Sequence, residues 1–128
     1  MNISSFANSF ARRLGLLIVS LVVVFGSFFM SVSPAAADVV TVKMGSDGGQ
    51  LVFEPKVVTI KVGDTVKWVN NKAFPHNIVF EGHEELSHKK LAQKPKAELE
   101  STFNETGEFS YYCSPHRGAG MQGKVVVE

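Results

Sequence analysis

Val57-Val58-Thr59-Ile60-Lys61-Val62-Gly63-Asp64-Thr65-Val66-Lys67-Trp68-Val69 is the stretch from which the fold is read. Val58, Ile60 and Val62 alternate with Val57, Thr59 and Lys61, the period of two that puts one set of side chains on each face of a strand. Gly63-Asp64 is a hairpin turn signal. The next run repeats the pattern, with Val66 and Trp68 on one face and Thr65, Lys67 and Val69 on the other. Faces of unequal polarity imply a sheet packed on one side. Working outward, Val40 to Met44, Leu51 to Phe53, His76 to Phe80, Ser101 to Asn104, Glu108 to Cys113 and Gly123 to Val127 are further strand candidates. Gly45-Ser46-Asp47-Gly48-Gly49 ends the first and Pro55 interrupts the second. The charged segment Glu81 to Glu100 is low in β-branched residues and reads as a surface excursion, with one short helix around Leu86 to Leu91. Several short strands with regular turn signals predict an all-β antiparallel sandwich or barrel.

The start of the chain has a different character. Arg12 and Arg13 precede an apolar run from Leu14 to Met30, and Pro34 leads to Ala35-Ala36-Ala37. A positive region, an apolar stretch and small residues at a cleavage site form an export signal, so residues 1–37 are expected to be removed by cleavage after Ala37. The alternative is a retained membrane anchor, because the apolar run is close to spanning length. The export route, general or twin-arginine, stays open. Of the 128 residues, 38–128 are then left, enough for one small domain. Arg12 and Arg13 are 2 of the 13 basic residues, so 11 remain against 12 acidic ones. Near-neutrality argues against nucleic acid as a partner.

Cys113 is the one cysteine, so no disulfide can form within the chain. A lone exported thiol is a liability, an intermolecular link or a ligand. The sequence Cys113-Ser114-Pro115-His116, with Met121 five residues further on, offers a thiolate, an imidazole and a thioether from one loop. His76, in Phe74-Pro75-His76-Asn77, is the candidate for a second imidazole. Calcium and magnesium take oxygen ligands, and a structural zinc site has no use for Met121. A thiolate and two imidazoles with a weak axial thioether suit copper as Cu(I) and Cu(II). Met121 lies among glycines, in Gly118-Ala119-Gly120-Met121-Gln122-Gly123, where packing partners are few. His83 and His88 read as ordinary surface histidines. Alternation in Phe109-Ser110-Tyr111-Tyr112-Cys113 places Phe109 and Tyr111 inward with Cys113, and Tyr112 outward.

Tyr111 to Met121, together with Phe74 to Asn77 and Gly63-Asp64-Thr65-Val66-Lys67-Trp68, resembles the blue copper (cupredoxin) family, in particular its cyanobacterial plastocyanin branch. The match extends over residues 38–128, and the ligand spacing differs from that of azurin and amicyanin relatives. The resemblance implies an eight-stranded Greek-key sandwich and a mobile electron carrier of the thylakoid lumen, not an enzyme. It implies a donor, the cytochrome f subunit, and an acceptor, photosystem I, met in transient association with membrane complexes by a monomer. It makes His76, Cys113, His116 and Met121 the copper ligands. Asn77 is expected to brace the ligand loop near Ser114, with a turn residue as the alternative.

An electron carrier needs its metal near the surface yet dry. Gly45, Leu51, Phe74, Pro75, Gly118, Ala119 and Gly120 are the candidate apolar rim around His116, and such a small patch suffices for a transient complex. Tyr112 resembles the family's second surface site, and Arg117 is a candidate docking charge or a solvated loop arginine. Glu81, Glu84 and Glu85 are interspersed with Gly82 and His83 and followed by Lys89, Lys90, Lys94 and Lys96, which departs from the dense acidic patch of plant members. Two other functions remain open. An exported copper-delivery module favours paired cysteines or methionine clusters, and a thiol peroxidase needs an open thiolate pocket at Cys113. A c-type haem lacks its second cysteine.

Overall fold

The two alternating runs do form strands, but in different sheets. In a computed structural model, residues 36–128 are described. The expected export segment lies outside the described residues apart from Ala36 and Ala37. The strands are β1 (Val39–Met44), β2 (Phe53–Glu54), β3 (Val57–Ile60), β4 (Thr65–Asn70), β5 (His76–Phe80), β6 (His88–Ala92), β7 (Glu98–Thr102), β8 (Gly107–Tyr112) and β9 (Gln122–Val127). One sheet has the order β2-β1-β4-β7, the other β3-β9-β8-β5-β6. The fold is a β-sandwich. Its ninth segment beyond the expected eight is the two-residue β2, paired with the end of β1.

Four differences from the sequence reading have physical causes. Gly63-Asp64 does not close a hairpin: β3 lies beside β9 and β4 beside β1, so Lys61–Asp64 carries the chain from one sheet to the other. Alternation records which side of a strand is buried, and both sheets bury one side. Two of the pairings, β1 with β4 and β3 with β9, are parallel, so the sandwich is not purely antiparallel. The expected helix around Leu86 to Leu91 is a 3₁₀ turn at Glu84–Leu86 followed by β6, an edge strand whose exposed lysines hide its pattern. A second 3₁₀ turn covers Ser114–Ala119.

The core lies between the sheets. Val58 and Ile60 from β3, Val66 and Trp68 from β4, and Val125 and Val127 from β9 all face it. Trp68 meets Tyr111 edge-on at 5.4 Å between ring centroids, and Phe53 meets Tyr111 at 4.7 Å. Such pairs add about 0.5–1.5 kcal/mol each beyond area burial.

Asp64 closes the crossover. Its carboxylate accepts the N–H of Asp38 and of Lys61, both at 2.9 Å, and its carbonyl accepts the N–H of Phe103 at 3.0 Å. These two backbone donors hold its carboxyl below the ordinary range. A carboxyl depressed in the folded state contributes stability above its unfolded pKa and loses it as pH falls through the folded value. Thermal denaturation across the acid range should show this: below about pH 4 the melting temperature of the protein drops, and Asp64→Asn, already destabilised at neutral pH, drops less steeply.

Candidate metal centre

Three strand ends in one sheet build the site. β5 begins at His76 and β8 ends just before Cys113, and their antiparallel register, Val79 opposite Tyr112, puts both residues at the same end. β9 starts just after Met121 and pairs with β8 through Gln122 opposite Tyr112. The loop between them is closed by its own backbone. Cys113 N–H donates to the Met121 carbonyl at 3.1 Å, and Met121 N–H donates to the His116 carbonyl at 3.2 Å. Gly120, at φ +86°, ends the 3₁₀ turn in the left-handed region that favours glycine. Cys113, His116 and Met121 therefore sit on one hydrogen-bonded ring.

The donor atoms of His76, Cys113 and His116 all lie within 4.8 Å of one another. Cys113 Sγ is 3.7 Å from His76 Nδ1 and 3.5 Å from His116 Nδ1, and the two Nδ1 atoms are 3.2 Å apart. With bonds of about 2.0 Å to nitrogen and 2.3 Å to sulfur, one ion centred in a triangle of this kind gives edges of roughly 3.5–3.7 Å. The residues fit a single metal ion. His76, Cys113 and Met121 have no exposed surface, while His116 is half-buried.

The tautomer of His76 follows from its partner. Its Nε2 lies 2.7 Å from the Lys72 carbonyl, which can only accept, so Nε2 carries the hydrogen and Nδ1 turns its lone pair to the cluster. Burial lowers the His76 pKa, against the raising effect of the Lys72 bond, with the nearby His116 lowering it further. The neutral ligating form is favoured. Burial pushes the Cys113 thiol up, although hydrogen bonds at Asn77 and His116 pull it down. A buried thiol with a raised pKa is the opposite of the open thiolate a peroxidase needs. A positive ion is what converts it to a ligand.

Asn77 spans two strands. Its Oδ1 accepts the Ser114 N–H at 2.8 Å, and its Nδ2 donates to the Lys89 carbonyl at 3.0 Å and to Ser114 Oγ at 3.2 Å. Of the residues expected to form the rim, Phe74, Gly118, Ala119 and Gly120 are exposed, and Leu51 and Pro75 are half-buried. Gly45 is buried and is no part of that surface. A Cβ on Gly45 would fall on the Lys72 carbonyl oxygen and within 2.9 Å of its carbon, so this glycine keeps room for the carbonyl that holds His76. Sequence reasoning missed both Gly45's place and Lys72, because a main-chain acceptor carries no residue-type signal. Tyr112 is half-buried with its ring covered by Arg117, whose guanidinium carbon is 3.9 Å from the ring centroid. Arg117 also pairs with Glu81 at 3.0 Å.

Comparison with known proteins agrees with this arrangement. Residues 40–128 match the model of copper binding proteins, plastocyanin/azurin family. The plastocyanin of Synechococcus sp. (strain JA-2-3B'a(2-13)) is 50% identical over 91% of this chain and 93% of its own. The plastocyanin of Nostoc punctiforme is 42% identical over 91% of this chain and 94% of its own. Among solved structures, a mutant fern plastocyanin superposes with a TM-score of 0.62 at 26% identity, covering 69% of this chain and 99% of that one. With residues 40–128 matched throughout and a dry thiol and two imidazoles at the site, the chain belongs to the plastocyanin/azurin family of copper-binding proteins.

Proposed function

We propose that the protein is a mobile copper electron carrier that accepts electrons from the cytochrome f subunit and donates them to photosystem I in the thylakoid lumen. The observation that supports this most is the closed His76, Cys113 and His116 triangle, two of its members buried and His116 partly exposed. His76, Cys113 and His116, with Met121 from the same loop as Cys113 and His116, would hold the copper. Bound copper supplies a one-electron Cu(I)/Cu(II) couple. The chain's part is to limit rearrangement: the ring of backbone bonds from Cys113 to Met121 and the Lys72 carbonyl hold the donors in place, and burial excludes water. The half-buried ring of His116 is the part a partner reaches, through the flat surface of Phe74, Pro75, Gly118, Ala119, Gly120 and Leu51. Tyr112, next to Cys113 in the chain, is the second contact, and Arg117 lies over it as a docking charge. The carrier acts as a monomer, exported by residues 1–37 and cleaved after Ala37.

Adding copper(II) tests the reading. An intense blue colour that a mild reductant bleaches reversibly is expected, and a colourless complex would exclude it in favour of a copper-delivery module. Asn77→Ala, which removes the bonds to Ser114 and Lys89, should weaken copper binding by roughly 10–100-fold in a competition titration. Opposite charges lie paired across the surface, Lys89 with Glu84 and Arg117 with Glu81. Mixed signs weaken long-range steering, so the bimolecular electron-transfer rate should change by no more than about tenfold between low and physiological salt.

A further inference from the structure

Asp64 is a carboxylate with 7% of its surface exposed. Both of its oxygens are taken by backbone N–H groups, Oδ1 by Asp38 and Oδ2 by Lys61. Among the described residues it takes part in no ion pair within 4.0 Å. The charge of Lys61 acts on it from beyond that distance, after the two backbone donors in effect. A carboxylate withdrawn from water without a cation in direct contact is costly unless its partners compensate. One of its two partners has an unusual place. Asp38 is held from both sides, its N–H by Asp64 and its carbonyl by Thr65 N–H at 3.0 Å, whereas Ala36 and Ala37 before it are exposed and outside any strand. Among the described residues, Asp38 is the first with backbone hydrogen bonds to the domain, and the Ala37–Asp38 bond before it is the one at which the small-residue motif expects cleavage.

We propose that Asp64 is a built receptor for the chain's own α-ammonium group, completed only when the segment before Asp38 has been removed. The inference rests on the processing step proposed above. Hydrolysis breaks the Ala37–Asp38 bond, water supplying the hydroxyl to the Ala37 carbonyl and a hydrogen to the Asp38 nitrogen, and the freed amine takes up a proton from solvent. The nitrogen already 2.9 Å from Asp64 Oδ1 then changes from a neutral amide donor to a cation. Hydrogen bonds between charged partners are shorter and about twice as strong as neutral ones. The two backbone donors already hold the Asp64 carboxyl below its ordinary range, so the anion is in place to receive the charge. The resulting clasp ties the start of β1 to the crossover between the sheets. The processed domain is thus more stable than the same domain with residues ahead of Asp38.

The test begins with the copper-loaded protein purified after export, whose N-terminal sequence and mass give its first residue. A first residue other than Asp38 overturns the processing step and with it the clasp in the exported protein. With Asp38 first, its melting temperature is compared with that of the same copper-loaded domain retaining Ala37 and with the Asp38 form acetylated at its amine. Blocking the amine by either route should lower the melting temperature by roughly 4–8 °C, the shift that a loss of about 1 kcal/mol produces in a domain of this size. In Asp64→Asn the same modifications should shift it by less than half as much. Equal melting temperatures for the three forms, or a shift that persists undiminished in Asp64→Asn, would overturn the receptor while leaving the processing step intact. Acetylation needs no substitution, so the result stands even where Asp64→Asn folds poorly.

Discussion

Cys113→Ser is expected to abolish the blue colour of the copper-loaded protein altogether while leaving a folded domain. Sulfur at this position is buried and faces two imidazole nitrogens at 3.5 and 3.7 Å. A thiol with a raised pKa still ionises when a cation takes the proton's place, whereas a serine hydroxyl is far more basic and much harder. The cluster then keeps two imidazoles, which carry no charge to offset the ion's own. Copper affinity should fall by well over the roughly 10–100-fold that follows loss of a hydrogen bond behind a ligand. The fold survives because the smaller hydroxyl can donate to either Nδ1. A visible spectrum with copper(II), read beside the circular dichroism of the same sample, checks both halves. Retention of intense visible absorption in Cys113→Ser would remove Cys113 from the ligand set.

Gly45→Ala should be the most damaging substitution outside the proposed ligands. Gly45 has φ +91°, in the region where side chains other than hydrogen are strained by about 1–2 kcal/mol. The added Cβ also meets the Lys72 carbonyl, which is main chain and cannot rotate away. Overpacking of this kind costs about 1–3 kcal/mol more. The neighbourhood offers little slack: Gly45 N–H donates to the Val52 carbonyl at 2.9 Å, its own carbonyl accepts Asn71 Nδ2 at 2.9 Å, and Asn71 N–H donates to the Met44 carbonyl at 3.0 Å. Relief comes by moving the Lys72 carbonyl, and with it the acceptor of His76 Nε2–H. The expected result is a stability loss of about 2–5 kcal/mol in chemical denaturation, together with a displaced visible band in whatever fraction folds with copper. A loss of stability with an unchanged spectrum would show that Gly45 serves packing alone and not the placement of His76.

The two substitutions differ in how far they could be foreseen. Cys113, His116 and Met121 were legible as a candidate set because their chemistry is carried by residue type and their proximity by chain distance, within one loop. His76 is 37 residues from Cys113, and only its chemistry marked it in the chain. The importance of Gly45 was invisible, since a glycine in a glycine-rich turn looks like any other. Its role depends on a carbonyl 27 residues away, at Lys72. The reading of Gly45 as surface failed for the same reason: turn residues are usually exposed, and this one is covered by the 71–72 backbone.

The strands show the same division. Alternation in β3, β4 and β8 is a local property, so the inward set of Val58, Ile60, Val66, Trp68, Tyr111 and Cys113 was readable from the chain. Pairing is not local. Gly63-Asp64 promises a change of direction, and nothing in those two residues says whether the next strand hydrogen-bonds to the last or crosses to the opposite sheet. β6 was hidden because an edge strand can be largely solvated, and its lysines then look like an excursion.

By itself the sequence determined the chemistry of this protein, a soft-metal loop in a β-rich domain, since ligand type and the period of two are written in neighbouring residues. The tertiary structure alone decided which sheet each strand joins, which carbonyl orients His76, and where the Asp38 nitrogen meets Asp64. Those depend on main-chain groups that every residue carries, and only their positions in space distinguish one from another.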